Sequence, residues 1–263
     1  MATSPTSLPH PTRLAAPYNA ATRRERLFFG GMAIALFVLV FVGFAPTYYL
    51  RSSFGSPELT PSLLIHGFAF TAWMVLLVVQ TSLIAANKTV LHRRLGGVGA
   101  VLGVVMMVVG GYVAITRTRA GLTAVVPGVS PLQLLALSIA TLVVFPPLLG
   151  AAVWLRKIAG IHKRLALIAT LELVMAAVGR LPGIFVPLGP IGPLGIVGLL
   201  GIVGLVGGTD LFLVAIAIYD WRTLGRLHPA TLWGGLFLFA SQVGRLLIGG
   251  TATWIAFASW LTS

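Results

Sequence analysis

The sequence predicts an all-α fold, a polytopic transmembrane helix bundle with about seven spans. Of its 263 residues, 57% are hydrophobic and 9% are charged, whereas a typical soluble domain carries roughly 25% charged residues. Seven apolar runs are each long enough to cross a bilayer, and Lys and Arg cluster in alternate connections between them. We therefore expect the lipid bilayer to be the solvent for most of the protein surface.

The predicted spans follow a polar N-terminal segment. Residues 1–26 are rich in Ser, Thr, Pro and Ala and lack the apolar core of a cleavable signal peptide, so we expect a flexible cytoplasmic tail. Residues 27–263 then form the transmembrane helical domain. A span needs about 20 mostly apolar residues. The runs of that kind cover residues 27–49, 61–86, 94–115, 131–155, 163–181, 194–219 and 231–257.

The basic residues predict the orientation of the bundle. Thirteen Lys and Arg residues fall on one side of the predicted spans and four on the other, with Arg245 inside the last span. This positive-inside bias predicts a cytoplasmic N-terminus and an external C-terminus. The net charge of +13 is therefore expected to set topology in a bacterial inner membrane, and we expect no nucleic-acid partner.

Glycine recurs at every third position from Gly189 to Gly207. On an α-helix, a period of three drifts around the axis, so these glycines spiral over the surface of the predicted span 194–219. They allow close packing of neighbouring helices, including those of a second copy of the chain in an oligomer. They also suit a helix that moves during transport, and the pattern does not choose between these interpretations.

The second predicted span carries a polar stripe at intervals of seven residues. Seven residues make nearly two helical turns, so the four side chains share one face. Polar groups in lipid are expected to face the interior of a bundle. One interpretation is hydrogen bonding that fixes helix packing; the other is an outward-facing polar cavity near Arg180. The stripe consists of His66, Trp73, Gln80 and Asn87.

Three charged residues, Glu172, Asp210 and Arg245, lie deep in other predicted spans. A lone charge at the bilayer centre costs at least about 2.5–3.5 kcal/mol, so we expect Arg245 to pair with one of the two carboxylates. Ser241 and Gln242 lie about one turn before Arg245 and extend the predicted buried polar site. Both a structural ion pair and a functional site fit this pattern.

Histidines are the candidate cofactor ligands. His92, His162 and His228 each precede or begin a helix on the predicted cytoplasmic side, where they fit metal or haem ligation as well as simple tolerance of the headgroup region. His66 lies near the opposite side, where Met106 or Met175 would have to supply a second haem ligand. The chain contains no cysteine, which excludes thiolate ligands, and the sequence names no particular metal.

Several short motifs carry a resemblance to known proteins. They are His66-Gly67 with Trp73 and Gln80, Leu91-His92-Arg93-Arg94-Leu95-Gly96, His162-Lys163-Arg164-Leu165 with Arg180, Asp210-Leu211-Phe212, and His228-Pro229-Ala230-Thr231-Leu232-Trp233 with Ser241, Gln242 and Arg245. Over about residues 60–260 the chain resembles a family of uncharacterised bacterial multi-pass membrane proteins, which implies a topology and no activity. The histidine loops also resemble those of cytochrome b561-type haem proteins, which implies haem b as a cofactor. In that group the histidines pair within helices, whereas three of the four here stand at helix starts.

Three functions remain open from the sequence. The first is a membrane protein with a buried polar site that binds haem or a metal for electron transfer or oxidase assembly. The second is a transporter or channel for a small solute or a proton. The third is a non-catalytic sensor or assembly partner. The sequence shows neither a nucleophile motif nor an acidic metal cluster, so it does not decide whether the protein is an enzyme.

Overall fold

The computed structural model describes residues 12–122, 129–181 and 208–263, with side chains from residue 22 onward. These residues form a helical bundle, in which a π-helical turn, Ala45–Tyr49, continues the first helix. The α-helices of the described residues are α1 (Thr12–Phe44), α2 (Pro61–Ala85), α3 (Thr89–Arg119), α4 (Pro131–Trp154), α5 (Ala159–Val178), α6 (Asp210–Leu224), α7 (Pro229–Gly249) and α8 (Ala252–Thr262).

Five helices of the described residues are long and apolar enough to cross a membrane, which makes the chain a multi-pass membrane protein. Their outer surfaces expose large apolar side chains: Phe68 is 72% exposed, Val108 67% and Leu247 70%. Such a continuous apolar surface fits lipid rather than water. The five segments are Thr22–Tyr49, Pro61–Ala85, Thr89–Arg119, Pro131–Trp154 and Pro229–Gly249.

The starts of several helices follow from local sequence signals. Pro61, Pro131 and Pro229 each occupy the first turn of a helix, where the missing amide hydrogen costs nothing and the fixed φ angle suits the helix. Before α4, Ser130 and Gln133 exchange side-chain and backbone hydrogen bonds in a capping box. These signals fix where the chain turns between antiparallel helices.

α5 is the central helix of the bundle. It packs against α1, α4 and α7, and nearly all of its residues from Arg164 to Val178 are buried. α1 approaches it closely at Gly43, where a Cβ atom would lie only 2.6 Å from the carbonyl oxygen of Ala177. Because α5 is enclosed by protein, it can carry charged side chains that a lipid-facing helix would not tolerate.

Successive helices run in opposite directions between two ends of the bundle. At one end, which we call the cationic end, Arg26 of α1 donates to the carbonyl oxygen of Ala85 at the close of α2. Lys163, at the start of α5, pairs there with Glu25 of α1. The opposite end, which we call the distal end, contains the end of α3 and the start of α4. The helices α1 to α7 therefore alternate in direction between these two ends.

The predicted last span, 231–257, differs from the structure. α7 ends at Gly249, and Thr251 caps a separate helix, α8, by accepting from the amide of Trp254. The Trp254 indole donates to the carbonyl oxygen of Leu132 at 2.7 Å, and Arg119 donates to that of Thr262 at 3.0 Å. Both contacts lie at the distal end, so α8 runs across that end of the bundle. The glycine pair and the capping threonine end the span earlier than hydropathy predicts.

Two further predictions concern segments that the structure describes only in part. The predicted sixth span, 194–219, is described only from residue 208, and the glycine run from Gly189 to Gly207 lies outside the described residues. α1 begins at Thr12, inside the segment 1–26 that the sequence assigns to a tail. The boundary at residue 26 and the role of the glycine run stay predictions.

Candidate functional sites

Two of the predicted cofactor-ligand histidines meet at the cationic end. The rings of His92, near the start of α3, and His162, near the start of α5, lie edge to face with centroids 6.1 Å apart. His162 Nδ1 is 2.8 Å from the carbonyl oxygen of Ala152 at the end of α4. His92 Nδ1 is buried without a hydrogen-bond partner among the described residues. One imidazole of the pair is thus oriented by the backbone, and the other has an unused nitrogen.

The third histidine of that end has a different role. His228 caps α7, and its Nδ1 accepts the amide hydrogen of Ala230 at 3.1 Å. Burial, and after it the charge of Arg164, lowers the pKa of His228, so the ring is neutral and able to accept. A three-histidine metal site is therefore not formed, and the described residues contain no group of three His, Cys, Asp or Glu able to hold a metal ion.

An ion pair joins α5 and α7 deep in the bundle. Arg245 donates to Glu172 at 2.8 Å, and both side chains are almost fully buried. Ser241 accepts from the same guanidinium at 3.0 Å, and Thr141 of α4 donates to the other oxygen of Glu172 at 2.8 Å. The pairing expected for Arg245 is therefore present, with Glu172 as the partner. Met175, a candidate haem ligand, instead lies 3.7 Å from the Arg245 guanidinium.

Asp210 does not join that ion pair. It opens α6, and the Gln242 amide of α7 donates to its carboxylate at 3.2 Å. The same amide nitrogen donates to Thr209 at 3.2 Å. Gln242 is completely buried, and its side-chain oxygen has no partner within the described part of the chain. The three charged residues that the sequence places at similar depth therefore do not form one network. Arg245 pairs with Glu172, and Asp210 instead accepts from the Gln242 amide, which also donates to Thr209.

The polar stripe of α2 is only partly one structural unit. Trp73 is buried and donates to Thr170 of α5 at 3.3 Å. Gln80 is half-buried, and its side-chain oxygen is another buried atom without a partner among the described residues. Asn87 lies beyond the end of α2 at Ala85, so the prediction that it continues the stripe is wrong. It adopts a positive φ of 59° in the turn and accepts from Arg26 at 2.7 Å.

His66 lies near the distal end. Its ring packs against Phe70 with centroids 4.3 Å apart, and a Cβ atom at Gly110 of α3 would lie 3.9 Å from it. Arg180 is within electrostatic range of His66, and its guanidinium stacks over the Phe44 ring at 4.3 Å. The polar cavity expected beside these two residues stays a prediction, as does haem ligation by His66 together with the fully buried Met106.

A second buried ion pair was missed by the sequence analysis. Arg164 of α5 binds both carboxylate oxygens of Asp220 on α6, through Nε at 2.9 and 3.2 Å and through a terminal nitrogen. Thr231 donates to the same carboxylate at 2.5 Å, and the backbone amide of His228 does so at 3.2 Å. Arg164 and Asp220 both stand at the ends of predicted spans on the predicted cytoplasmic side. That shared depth was the sequence signal from which their pairing could have been predicted.

Comparisons of the chain with known protein families, with curated proteins and with solved structures found no match. The resemblance to an uncharacterised multi-pass family and to cytochrome b561-type proteins therefore gains no support from them.

Proposed function

We propose that this protein is a seven-span inner-membrane haem protein that holds haem b between His92 and His162 and serves electron transfer. The observation that carries the proposal is the apposition of these two rings at the cationic end. Imidazoles bound on opposite faces of one metal, at about 2.0–2.1 Å each, have ring centres about 6 Å apart. The observed centroid separation of 6.1 Å matches that distance, and the rings, which lie edge to face, would turn to point one nitrogen each at the iron.

The two rings stand on helices that are not a main packing pair of the bundle. α3 packs mainly against α2 and α4, whereas α5 packs mainly against α1, α4 and α7. His92 and His162 therefore bring together two helices whose main packing partners are others.

The donor set favours haem over a bare metal ion. A structural zinc ion takes four protein ligands, and the described residues offer no group of three. Haem iron brings four porphyrin nitrogens and needs only axial ligands from the protein. Two histidines are therefore sufficient for haem and insufficient for zinc.

The surroundings of the two rings prepare both for ligation. The contact from His162 Nδ1 to the Ala152 carbonyl selects the tautomer in which Nε2 carries the lone pair, as is usual for metal-bound histidines. His92 Nδ1 is buried and forms no hydrogen bond among the described residues, and the ring lies close to the backbone of Gln80. Arg93 and Arg94 adjoin His92 and supply cations for the haem propionates.

When bound, haem supplies one-electron oxidation and reduction. The protein's contribution is to orient the His162 imidazole through the carbonyl oxygen of Ala152 and to place the His92 ring beside it. With both histidines as ligands, haem bound there would suit electron transfer better than reactions that need an open position on iron.

Absorption spectroscopy of the protein purified after expression with added haem precursor tests this proposal. We expect a Soret band in the wild-type protein, and we expect His92→Ala and His162→Ala each to lose it or to convert it to a high-spin form. The matched control is His228→Ala, which removes an imidazole at the same end that caps α7. Size-exclusion profiles show whether each variant is folded. A folded, colourless wild-type protein, or a spectrum unchanged in both ligand variants, would contradict the proposal.

The seven-span topology, with a cytoplasmic N-terminus and an external C-terminus, belongs to the same proposal. The alternation of α1 to α7 and the bias of basic residues toward one end support it. Because the chain has no cysteine, single cysteines at Lys157 and Ser263 can be labelled without background. In intact cells, an impermeant maleimide should label the cysteine at Ser263 only. Equal labelling of both positions would overturn the seven-span assignment.

A further inference from the structure

Asp210 differs from the other acidic residues of the helices in having no cationic partner among the described residues. Glu25, Glu172 and Asp220 each form an ion pair with a Lys or Arg side chain. The carboxylate of Asp210 accepts a hydrogen bond from the neutral amide of Gln242. It is also half-buried, so it has neither full access to solvent nor a compensating charge.

The undescribed residues next to Asp210 cannot supply that partner. The segment 182–207 consists only of Gly, Pro, Ile, Leu, Val and Phe, so none of its side chains can donate a hydrogen bond or carry a charge. In the other undescribed stretches, 1–11 and 123–128, the only titratable side chain is His10. That histidine precedes α1, which starts at the cationic end. The segment next to Asp210 therefore supplies no Lys or Arg, and the one Lys or Arg whose side chain is not described, Arg13, stands in the first turn of α1.

The carboxylate lies at membrane depth. Its partner Gln242 is thirteen positions after Pro229, where α7 begins, which corresponds to about 20 Å along the helix. The hydrocarbon core of a bilayer is about 30 Å thick. A carboxyl group at this depth without a counter-charge is stable in the neutral, protonated form and costly in the ionised form.

We propose that Asp210 is a proton-binding site within the membrane and that the Gln242 amide accommodates both of its protonation states. In the ionised state the amide nitrogen donates to Asp210 and to Thr209, each at 3.2 Å. The proton adds to the carboxylate to give a carboxylic acid, and no other bond is made or broken. Rotation of the amide by half a turn then turns its oxygen toward the new O–H group, which donates to it.

The unpaired amide oxygen explains why Gln242 can rotate at little cost. In the orientation of the structure, the oxygen of this fully buried side chain has no partner among the described residues. In the rotated orientation, the oxygen accepts from Asp210 and Thr209, and the nitrogen takes the unpaired position. Each orientation leaves one amide atom unpaired, so the protonation state of Asp210 decides between them.

The neighbouring charges favour a proton over a metal cation. The charged groups of the packed helices nearest to Gln242 are Arg245 on α7 and Glu172 on α5, and they neutralise each other. Asp210 stands in the first turn of α6, where the helix dipole is positive. That dipole opposes any cation, but a proton needs only one carboxylate oxygen, whereas a metal ion needs several oxygen ligands.

Infrared spectroscopy of the purified protein in lipid nanodiscs tests the site across a pH titration. We expect the C=O band of a protonated carboxyl group to be present at neutral pH and absent in Asp210→Asn. Glu58→Gln is the matched control, because Glu58 lies in an exposed loop and its removal should leave the band unchanged. Gln242→Leu removes the donor to the ionised form and should raise the titration midpoint by about one pH unit, tenfold in proton affinity.

A second measurement uses the wild-type protein and does not depend on a variant folding. A hydrophobic carbodiimide modifies protonated carboxyl groups within the membrane, so mass spectrometry should find Asp210 modified, and faster at low pH. Absence of both the band and the modification would overturn the proposal. A titration midpoint that moves with sodium concentration at constant ionic strength would also overturn it and identify a metal-cation site. Both measurements are independent of haem binding.

Discussion

The two buried ion pairs of α5 differ in how many groups support them. Near the cationic end, the Asp220 carboxylate receives bonds from Arg164, from Thr231 and from the backbone amide of His228. Deep in the bundle, Glu172 receives one bond from Arg245 and one from Thr141. The first pair belongs to a cluster with several donors at the cationic end, and the second is a pair with few donors that joins α5 and α7.

This difference predicts different consequences when each pair is broken. A buried carboxylate that keeps two other donors tolerates loss of its arginine better than one that keeps a single hydroxyl. The cluster at the cationic end also links the end of α6 to the start of α7, so it fixes a local turn. The deep pair fixes the relative position of helices that are distant in sequence. The deep pair is therefore expected to be the more critical of the two.

The largest effect is expected for Arg245→Ala. This change leaves Glu172 buried with only Thr141 as a donor, so we expect a loss of about 3–5 kcal/mol in the free energy of unfolding. The measurement is steric-trapping or thermal unfolding in detergent micelles. Leu247→Ala, on the exposed face of the same helix, is the control and should cost much less. Equal losses for both variants would show that the deep pair does not support the bundle.

Replacing both partners of the deep pair should recover much of that loss. The double variant Arg245→Leu, Glu172→Leu leaves no charge of this pair buried. Apolar replacement of both members of a buried ion pair is often neutral or stabilising. Ser241 stays satisfied by donating to the carbonyl oxygen of Leu238, and the Thr141 hydroxyl, released from Glu172, can donate to that of Leu137. The same unfolding assay should give a double variant more stable than Arg245→Ala. A double variant less stable than the single one would show that the pair contributes net attraction.

Arg164→Ala should have a smaller effect than Arg245→Ala. Asp220 keeps the Thr231 hydroxyl and the His228 amide, so we expect a loss of about 2 kcal/mol in unfolding free energy. Adding Thr231→Val should increase the loss, whereas Thr223→Val, whose hydroxyl contacts only its own helix at 2.7 Å, should not. A loss as large as that of Arg245→Ala would remove the proposed difference between the two pairs.

The smallest effect is expected at the contact between α2 and α5. Trp73→Phe removes one long hydrogen bond to Thr170 and keeps most of the buried ring, which should cost about 0.5–1.5 kcal/mol. Thr170 remains satisfied by its bond to the carbonyl oxygen of Ala166. Trp233→Phe, on an exposed face, is the matched control in the same unfolding assay. A loss above that of Arg164→Ala would mean that Trp73 has a role beyond this contact.

Hydropathy predicted the helical architecture well, because a chain in lipid must form long apolar helices that satisfy their own backbone groups. The all-α fold and the first four helices follow from apolar length and from Pro and Ser at helix starts. The end of the last span did not follow, because the residues of α8 are as apolar as those of a span. Only the Gly249-Gly250-Thr251 break separates an interfacial helix from a spanning one.

Partner choice at the buried sites was harder to predict. The sequence indicated that Arg245 must find a carboxylate, since a lone buried charge is costly, but depth alone could not choose Glu172 over Asp210. The sequence also grouped His92, His162 and His228 as candidate ligands of one site. In the structure only His92 and His162 meet, because His228 caps α7. Those distinctions depend on helix rotation and on side-chain direction, which a single sequence does not specify.

Electron paramagnetic resonance of the oxidised, purified protein tests haem binding by His92 and His162 most directly. We expect a low-spin ferric haem signal in the wild-type protein, converted to a high-spin signal or lost in His92→Ala and in His162→Ala, and retained in His228→Ala. A wild-type protein that is folded and gives no haem signal would contradict it. So would a low-spin signal that survives both substitutions.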